Sequence, residues 1–308
     1  MKKLLTALII LMVSQPLLAQ REAMFTNNMY NMSAFNPAYA GSRDAISILL
    51  LHRSQWLNFD GGPITQSFTV HSPIYDNMGL GLSVINDKIG YENNTMVNVD
   101  YSYTIRVSTN AKLAFGLKAG LNMYSLDLSE IYGQHPGDPV FYPSNENSVL
   151  PNFGFGAYYY TEKYYIGFSI PKLFEINLQD NTYESSSSLT DKSKHYYLSA
   201  GTIFDINDMV MLKPAALVKV AMGAPIELDL SAQLIFNEKF LIGLMYRTSA
   251  DLGFLAGLKI TKELDFGYSF DVSTANSTWK YNEGSHEVFL RYDIGNYKNK
   301  KSIAAKYF

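Results

Sequence analysis

The sequence predicts an all-β protein: a transmembrane antiparallel up-and-down β-barrel of about fourteen strands, behind a cleaved signal peptide. Three observations carry that expectation. Apolar and polar residues alternate with period 2 through segments of ten or more residues. The composition is rich in Tyr (23), Phe (18) and Gly (21), yet only 17% of residues are charged. Beyond the leader, no stretch approaches the about 18 consecutive apolar residues of a membrane helix. A barrel reconciles these facts, because its backbone groups pair between strands and only alternate side chains meet lipid.

Residues 1–19 have the order of a secretory signal. Lys2 and Lys3 form a basic start, Leu4 to Val13 an apolar core, and Leu17-Leu18-Ala19 places cleavage before Gln20. The core is short for a membrane anchor, and no stop-transfer pattern follows. Removing these residues takes away two lysines and no acid, so the formal charge falls from −3 to −5. With no strong basic excess and no Lys/Arg-rich run, nothing suggests nucleic acid as a partner, and none is expected. The chain has no cysteine, hence no lipobox, disulfide framework or thiolate chemistry.

The alternation is cleanest from Val97 to Arg106, where Val97, Val99, Tyr101, Tyr103 and Ile105 share one face and Asn98, Asp100, Ser102, Thr104 and Arg106 the other. Leu113, Phe115, Leu117, Ala119, Leu121 and Met123 then oppose Lys112, Gly116, Lys118, Gly120 and Asn122. A β-sandwich also alternates, but with shorter strands and more Lys and Glu on its outer face. Strands are expected near 44–57, 63–73, 78–87, 95–107, 111–125, 152–160, 164–171, 194–205, 209–220, 225–236, 239–248, 251–260, 263–273 and 285–295. The even total suits a bacterial outer-membrane barrel.

Loop lengths orient it. Connections after even-numbered strands are short (107–110, 161–163, 206–208, 237–238, 261–262), and several after odd-numbered strands are long (87–94, 127–151, 171–193, 273–284). Periplasmic turns are short and outer loops long, so both termini are expected in the periplasm. The domains are then a signal peptide (1–19), a periplasmic N-terminal segment or plug (20–43), the barrel (44–295) and a periplasmic tail (296–308). Four lysines between 298 and 306 mark the tail as a solvated end.

No catalytic constellation stands out. The five histidines are scattered without metal-ligand spacing, and no Ser sits in a G-x-S-x-G elbow. No cofactor is predicted. The inward acids Asp100, Asp265, Asp271 and Glu287 are expected to be solvated or paired with Lys118, Lys219, Lys259 or Arg291. The mixed signs imply no strong ion selectivity. Strand 1 breaks the pattern, since Ile46, Ile48, Leu49, Leu50 and Leu51 are apolar on both faces and the inner one needs a cover. Gln20 to Gly41, with Met24, Phe25, Met29, Tyr30, Met32 and Phe35, is the nearest candidate, either inside the barrel or at its periplasmic mouth. A frayed leader with a Pro turn is the alternative.

This segment also carries a family resemblance. Phe25-Thr26-Asn27-Asn28-Met29-Tyr30-Asn31, Asn36-Pro37-Ala38-Tyr39-Ala40-Gly41, Arg53-Ser54-Gln55-Trp56 and Gly61-Gly62-Pro63-Ile64-Thr65 resemble the opening of the PorP/SprF family of Bacteroidetes outer-membrane proteins. Asp87-Lys88-Ile89-Gly90, His195 to Gly201, Gly267 to Asp271 and Gly284 to Glu287 are similar to its later landmarks. Gly62 departs from the Ala common before the Pro. The resemblance implies a non-enzymatic barrel of the type IX secretion and gliding machinery, working with the translocon and periplasmic ring. It also implies export, docking or anchoring of adhesin-like cargo with a type B C-terminal sorting domain. By the same resemblance Asn36, Pro37, Tyr39, Gly41, Arg53, Gln55, Trp56, Gly62, Pro63 and Thr65 are motif residues and candidate partner contacts. Read physically, Asn36-Pro37 starts a turn that Gly41 ends, Trp56 and Phe59 belong to the outer aromatic girdle, and Gly61-Gly62-Pro63 is a tight surface turn. A diffusion porin and a barrel hydrolase are the competing functions, and the long loops 127–151 and 171–193 are suitable landing surfaces.

Overall fold

The computed structural model describes residues 23–127, 146–175, 194–221, 224–248, 251–273, 282–295 and 308. The proposed signal peptide and the loops 128–145 and 176–193 lie outside them. One antiparallel sheet closes on itself. Its strands are β1 (Ile46–Ser54), β2 (Ile64–Tyr75), β3 (Met78–Ile89), β4 (Glu92–Ser108), β5 (Ala111–Leu126), β6 (Glu146–Tyr160) and β7 (Tyr164–Glu175). Then come β8 (His195–Thr202, resumed as Phe204–Asn207), β9 (Val210–Ala221), β10 (Glu227–Phe236), β11 (Phe240–Arg247), β12 (Asp251–Lys259), β13 (Leu264–Ser273) and β14 (Ser285–Ile294). Both pieces of β8 pair with β9, so they form one strand, and the barrel has the expected fourteen. β8 breaks at Ile203, opposite the stretch of β9 where Pro214 has no N–H to give a ladder.

Closure comes from β1 against β14, in unbroken register from Ile46↔Ile294 to Ser54↔His286. Period 2 then sorts every strand. Ile46, Leu50, Val99, Tyr101, Leu117, Ile166, Leu230 and Phe254 face outward and are exposed, as a lipid-facing wall requires. Ser47, Arg53, Asp100, Lys118, Asp229 and Glu287 are buried on the inner face. Among the described residues no helix is long and apolar enough to cross a membrane.

One expected loop is a correction. Residues 87–94 are not a long connection: β3 runs on to Ile89 and β4 begins at Glu92, with Gly90 (φ +57°) and Tyr91 between them. Cross-strand bonds extend the hairpin, Asn86 Nδ2 donating to Asn93 Oδ1 and Thr95 Oγ1, each at 2.8 Å. β6 likewise starts earlier than expected, at Glu146 opposite Leu126. Short turns still collect at one mouth (76–77, 109–110, 161–163, 208–209, 237–239, 260–263), together with the start of β1 and the end of β14. We call this the short-turn mouth and the opposite one the long-loop mouth.

The lumen is filled by the chain that precedes β1. Phe25, Met29, Met32, Phe35 and Tyr39 are buried there. A one-turn helix α1 (Met32–Phe35) and a 3-10 turn (Pro37–Tyr39) shape the segment. Leu49 and Leu51, the inward apolar residues of β1, pack in a cluster with Phe25, Ile85, Met96 and Phe289. Burying an apolar side chain of this size contributes about 1.5–3 kcal/mol. The tail does not end in solvent: Phe308 is fully buried against Met32, Tyr39, Tyr158 and Tyr165 in a second lumenal cluster.

Candidate functional site

The site is the seat of this plug. Its first residues are held by charge. Arg53 Nη1 stands 2.5 Å from Asp271 Oδ2 and 3.5 Å from Glu287 Oε2. Glu287 in turn accepts the backbone N–H of Thr26 (2.9 Å) and of Asn27 (2.7 Å), and Thr26 Oγ1 donates to Asp271. Arg247 grips Asp229 with two nitrogens (2.7 and 3.0 Å) and donates to the carbonyl of Phe25 at 3.0 Å. Charge-assisted bonds of this kind are short and strong in a dry interior.

Midway, Tyr30 stacks on Phe289 (4.5 Å), with Lys213 Nζ 4.7 Å and the Arg291 guanidinium 5.0 Å from its ring centroid. Lys118, paired with Asp100 at 3.0 Å, also donates to the Ser33 carbonyl at 3.2 Å.

The last part sits by shape. Asn36 caps the 3-10 turn, accepting from Ala38 N (3.0 Å), and donates to the Ala157 carbonyl (3.2 Å). Inward glycines let this backbone lie against the wall. A Cβ on Gly116 would fall 2.2 Å from Ala38 N, and one on Gly79 would fall 2.3 Å from Ala40 O. Ser102 Oγ donates to that same Ala40 carbonyl at 2.6 Å. Arg43 pairs with Asp293 at 2.6 Å beside the start of β1.

The ten motif residues therefore fall in three places. Asn36, Pro37, Tyr39 and Gly41 belong to the plug, where the Tyr39 hydroxyl donates to the main-chain oxygen of Phe308 at 2.6 Å and Gly41 (φ +76°) donates to His71 Nδ1 at 3.1 Å. Arg53 and Thr65 are buried on the lumenal wall, Thr65 donating to Asp87 at 2.5 Å. Gln55, Trp56, Gly62 and Pro63 form the β1–β2 turn, closed by Gln55 N to Pro63 O at 2.8 Å. Trp56 is exposed and meets Phe59 edge-on at 6.2 Å.

The inward acids are paired: Asp100 with Lys118, Asp265 with Arg291 (2.5 Å) and Lys259 (3.7 Å), and Asp271 and Glu287 with Arg53. Sequence reasoning missed Arg43, Lys213 and Arg247. The signal was there, because Lys213 shares the inward phase of Lys219, and Arg247 that of Gly243 and Met245. Between the plug and β3–β9 a cleft opens beside Phe25, Phe35, Met96, Asn98, Asn152 and Lys219, on the long-loop side of α1.

Closed strands with an apolar outer wall and an ion-paired lumen define an outer-membrane β-barrel. Known structures agree in fold. The CymD monoaromatic hydrocarbon channel superposes with a TM-score of 0.50 at 11% identity, covering 91% of this chain and 95% of that one. Omp33 of Acinetobacter baumannii (TM-score 0.48, 10% identity, 83% and 100% covered) and the toluene transporter TodX of Pseudomonas putida (0.48, 7%, 88% and 94%) are similar to a lesser degree. At these identities the likeness is one of fold alone. The search among curated proteins returns no match. More specifically, the chain belongs to the type IX secretion system membrane protein PorP/SprF family, whose model matches residues 17–292.

Proposed function

We propose that this barrel is a non-enzymatic part of the type IX secretion and gliding apparatus that helps export, dock or anchor a secreted surface protein. The cargo class is an adhesin-like protein with a type B C-terminal sorting domain. The observation that carries the reading is the plug. A lumen occupied along its length by its own chain, held by Arg53, Arg247 and Lys118, is built for holding rather than for diffusion. Family membership supplies the system. In this reading the long loops face the cell exterior and the short turns face the periplasm, where the translocon and periplasmic ring are met. Exposed Trp56 and the cleft beside Phe25 and Met96 are the surfaces offered to cargo.

Purification from the native outer membrane in mild detergent is expected to recover a large exported protein or type IX subunits, and a deletion strain to lose surface display of that protein. Recovery of the barrel alone, with normal display in the deletion strain, overturns the proposal.

A further inference from the structure

We infer that the plug begins at the outer mouth of the barrel, so that Ala23, Met24 and Asn28 at its start are presented to the cell exterior while the plug's root faces the periplasm. The direction of the outer mouth rests on the orientation given under Proposed function. The direction of the plug relative to the strands does not, and it follows from the contacts in sequence order. Phe25 O is held by Arg247, the last residue of β11, where that strand reaches the long-loop mouth. Thr26 and Asn27 are held by Glu287, near the start of β14 at the same mouth. Asn28 reaches Asp229, near the start of β10, again at that mouth. Lys118, holding Ser33, lies in the middle of β5. The root is at the other end: Ala40 lies over Gly79 beside the β2–β3 turn, Arg43 on Asp293 at the end of β14, and Asp44 by Lys112 at the start of β5.

The segment thus runs antiparallel to β1, down the lumen, and turns at the short-turn mouth to enter it. Of the two positions expected for this segment, inside the barrel or at its periplasmic mouth, these contacts favour the first. Because β1 and β14 seal the wall, a chain in this position is threaded through a closed ring. A partner arriving from outside meets the start of the plug, Ala23, Met24 and Asn28, and not its root.

The absence of cysteine makes the test clean, because a single introduced thiol reports alone. Ala23→Cys is compared in intact cells with Asp60→Cys in the exposed β1–β2 turn and Asn110→Cys in the exposed β4–β5 turn, using a membrane-impermeant maleimide. In parallel, an epitope inserted directly before Ala23 is probed with antibody on intact cells. A23C and D60C are expected to label without permeabilisation, N110C only after it, and the antibody to bind intact cells. A23C following N110C overturns the inference whichever way the barrel points. Failure of both A23C and the epitope to react in either condition overturns it too. If D60C and A23C are both protected while N110C labels, it is the barrel's orientation that fails, and the outward presentation fails with it.

Discussion

Arg53 shows what a single residue does in this lumen. Its guanidinium is the shared counter-charge of Asp271 and Glu287, and all three side chains are at most 2% exposed. Removing one partner of such a buried group leaves the others uncompensated, at a cost of about 3–5 kcal/mol. The pair Lys163–Asp205 is a natural comparison, with 65% and 56% of its side chains exposed, and exposed pairs contribute about 0–1 kcal/mol. Arg53→Ala is therefore expected to lower the urea midpoint of the purified barrel in detergent far more than Lys163→Ala does. Arg53→Lys should recover only part of the loss, since a lysine cannot reproduce the guanidinium's reach to Thr26 and both carboxylates. Equal midpoints for R53A and K163A would show that the network does not hold the fold.

Among elements, the plug and the wall it rests on were unequally legible. The fourteen strands could be read because alternation is a local property, visible in the residues of each strand alone. That β1 needed an inner cover was legible for the same reason: Leu49 and Leu51 stand where the lumen expects polar groups, and they pack with Phe25. The seat itself was not. Gly79 and Gly116 read only as inward small residues, because what lies over them comes from a distant part of the chain. The 87–94 connection misled because Asn and Thr usually mark turns, whereas here their side chains bond across the hairpin. Gly116→Val tests the seat. Its side chain would strike the Pro37–Ala38 backbone, so amide exchange at Ala38 to Gly41 should accelerate while the β4–β5 ladder keeps its protection. Gly257→Ala, whose Cβ meets nothing nearer than Leu241 Cβ and the Phe266 carbonyl at 3.4 Å, should change neither. Unchanged exchange in G116V would mean the plug is not held by fit at this point.

At the scale of the whole molecule, strand number and plug belong together. Barrels of about eight strands fill their interior with wall side chains, while those of about sixteen leave an aqueous channel. Fourteen strands leave a space that the wall alone does not fill, and residues 25–43 and Phe308 supply the missing side chains. If that is their role, purified protein in planar bilayers should show no steady open channel. A variant lacking residues 24–40 should show discrete conductance steps. That channel should discriminate weakly between cations and anions, because its lining alternates Asp100 with Lys118, Glu227 with Lys219, and Asp265 with Arg291. Strong selectivity for one sign would mean that these pairs do not survive removal of the plug. Steady conductance in the intact protein equal to that of the deletion variant would instead restore the diffusion-porin reading, since the plug would then obstruct nothing.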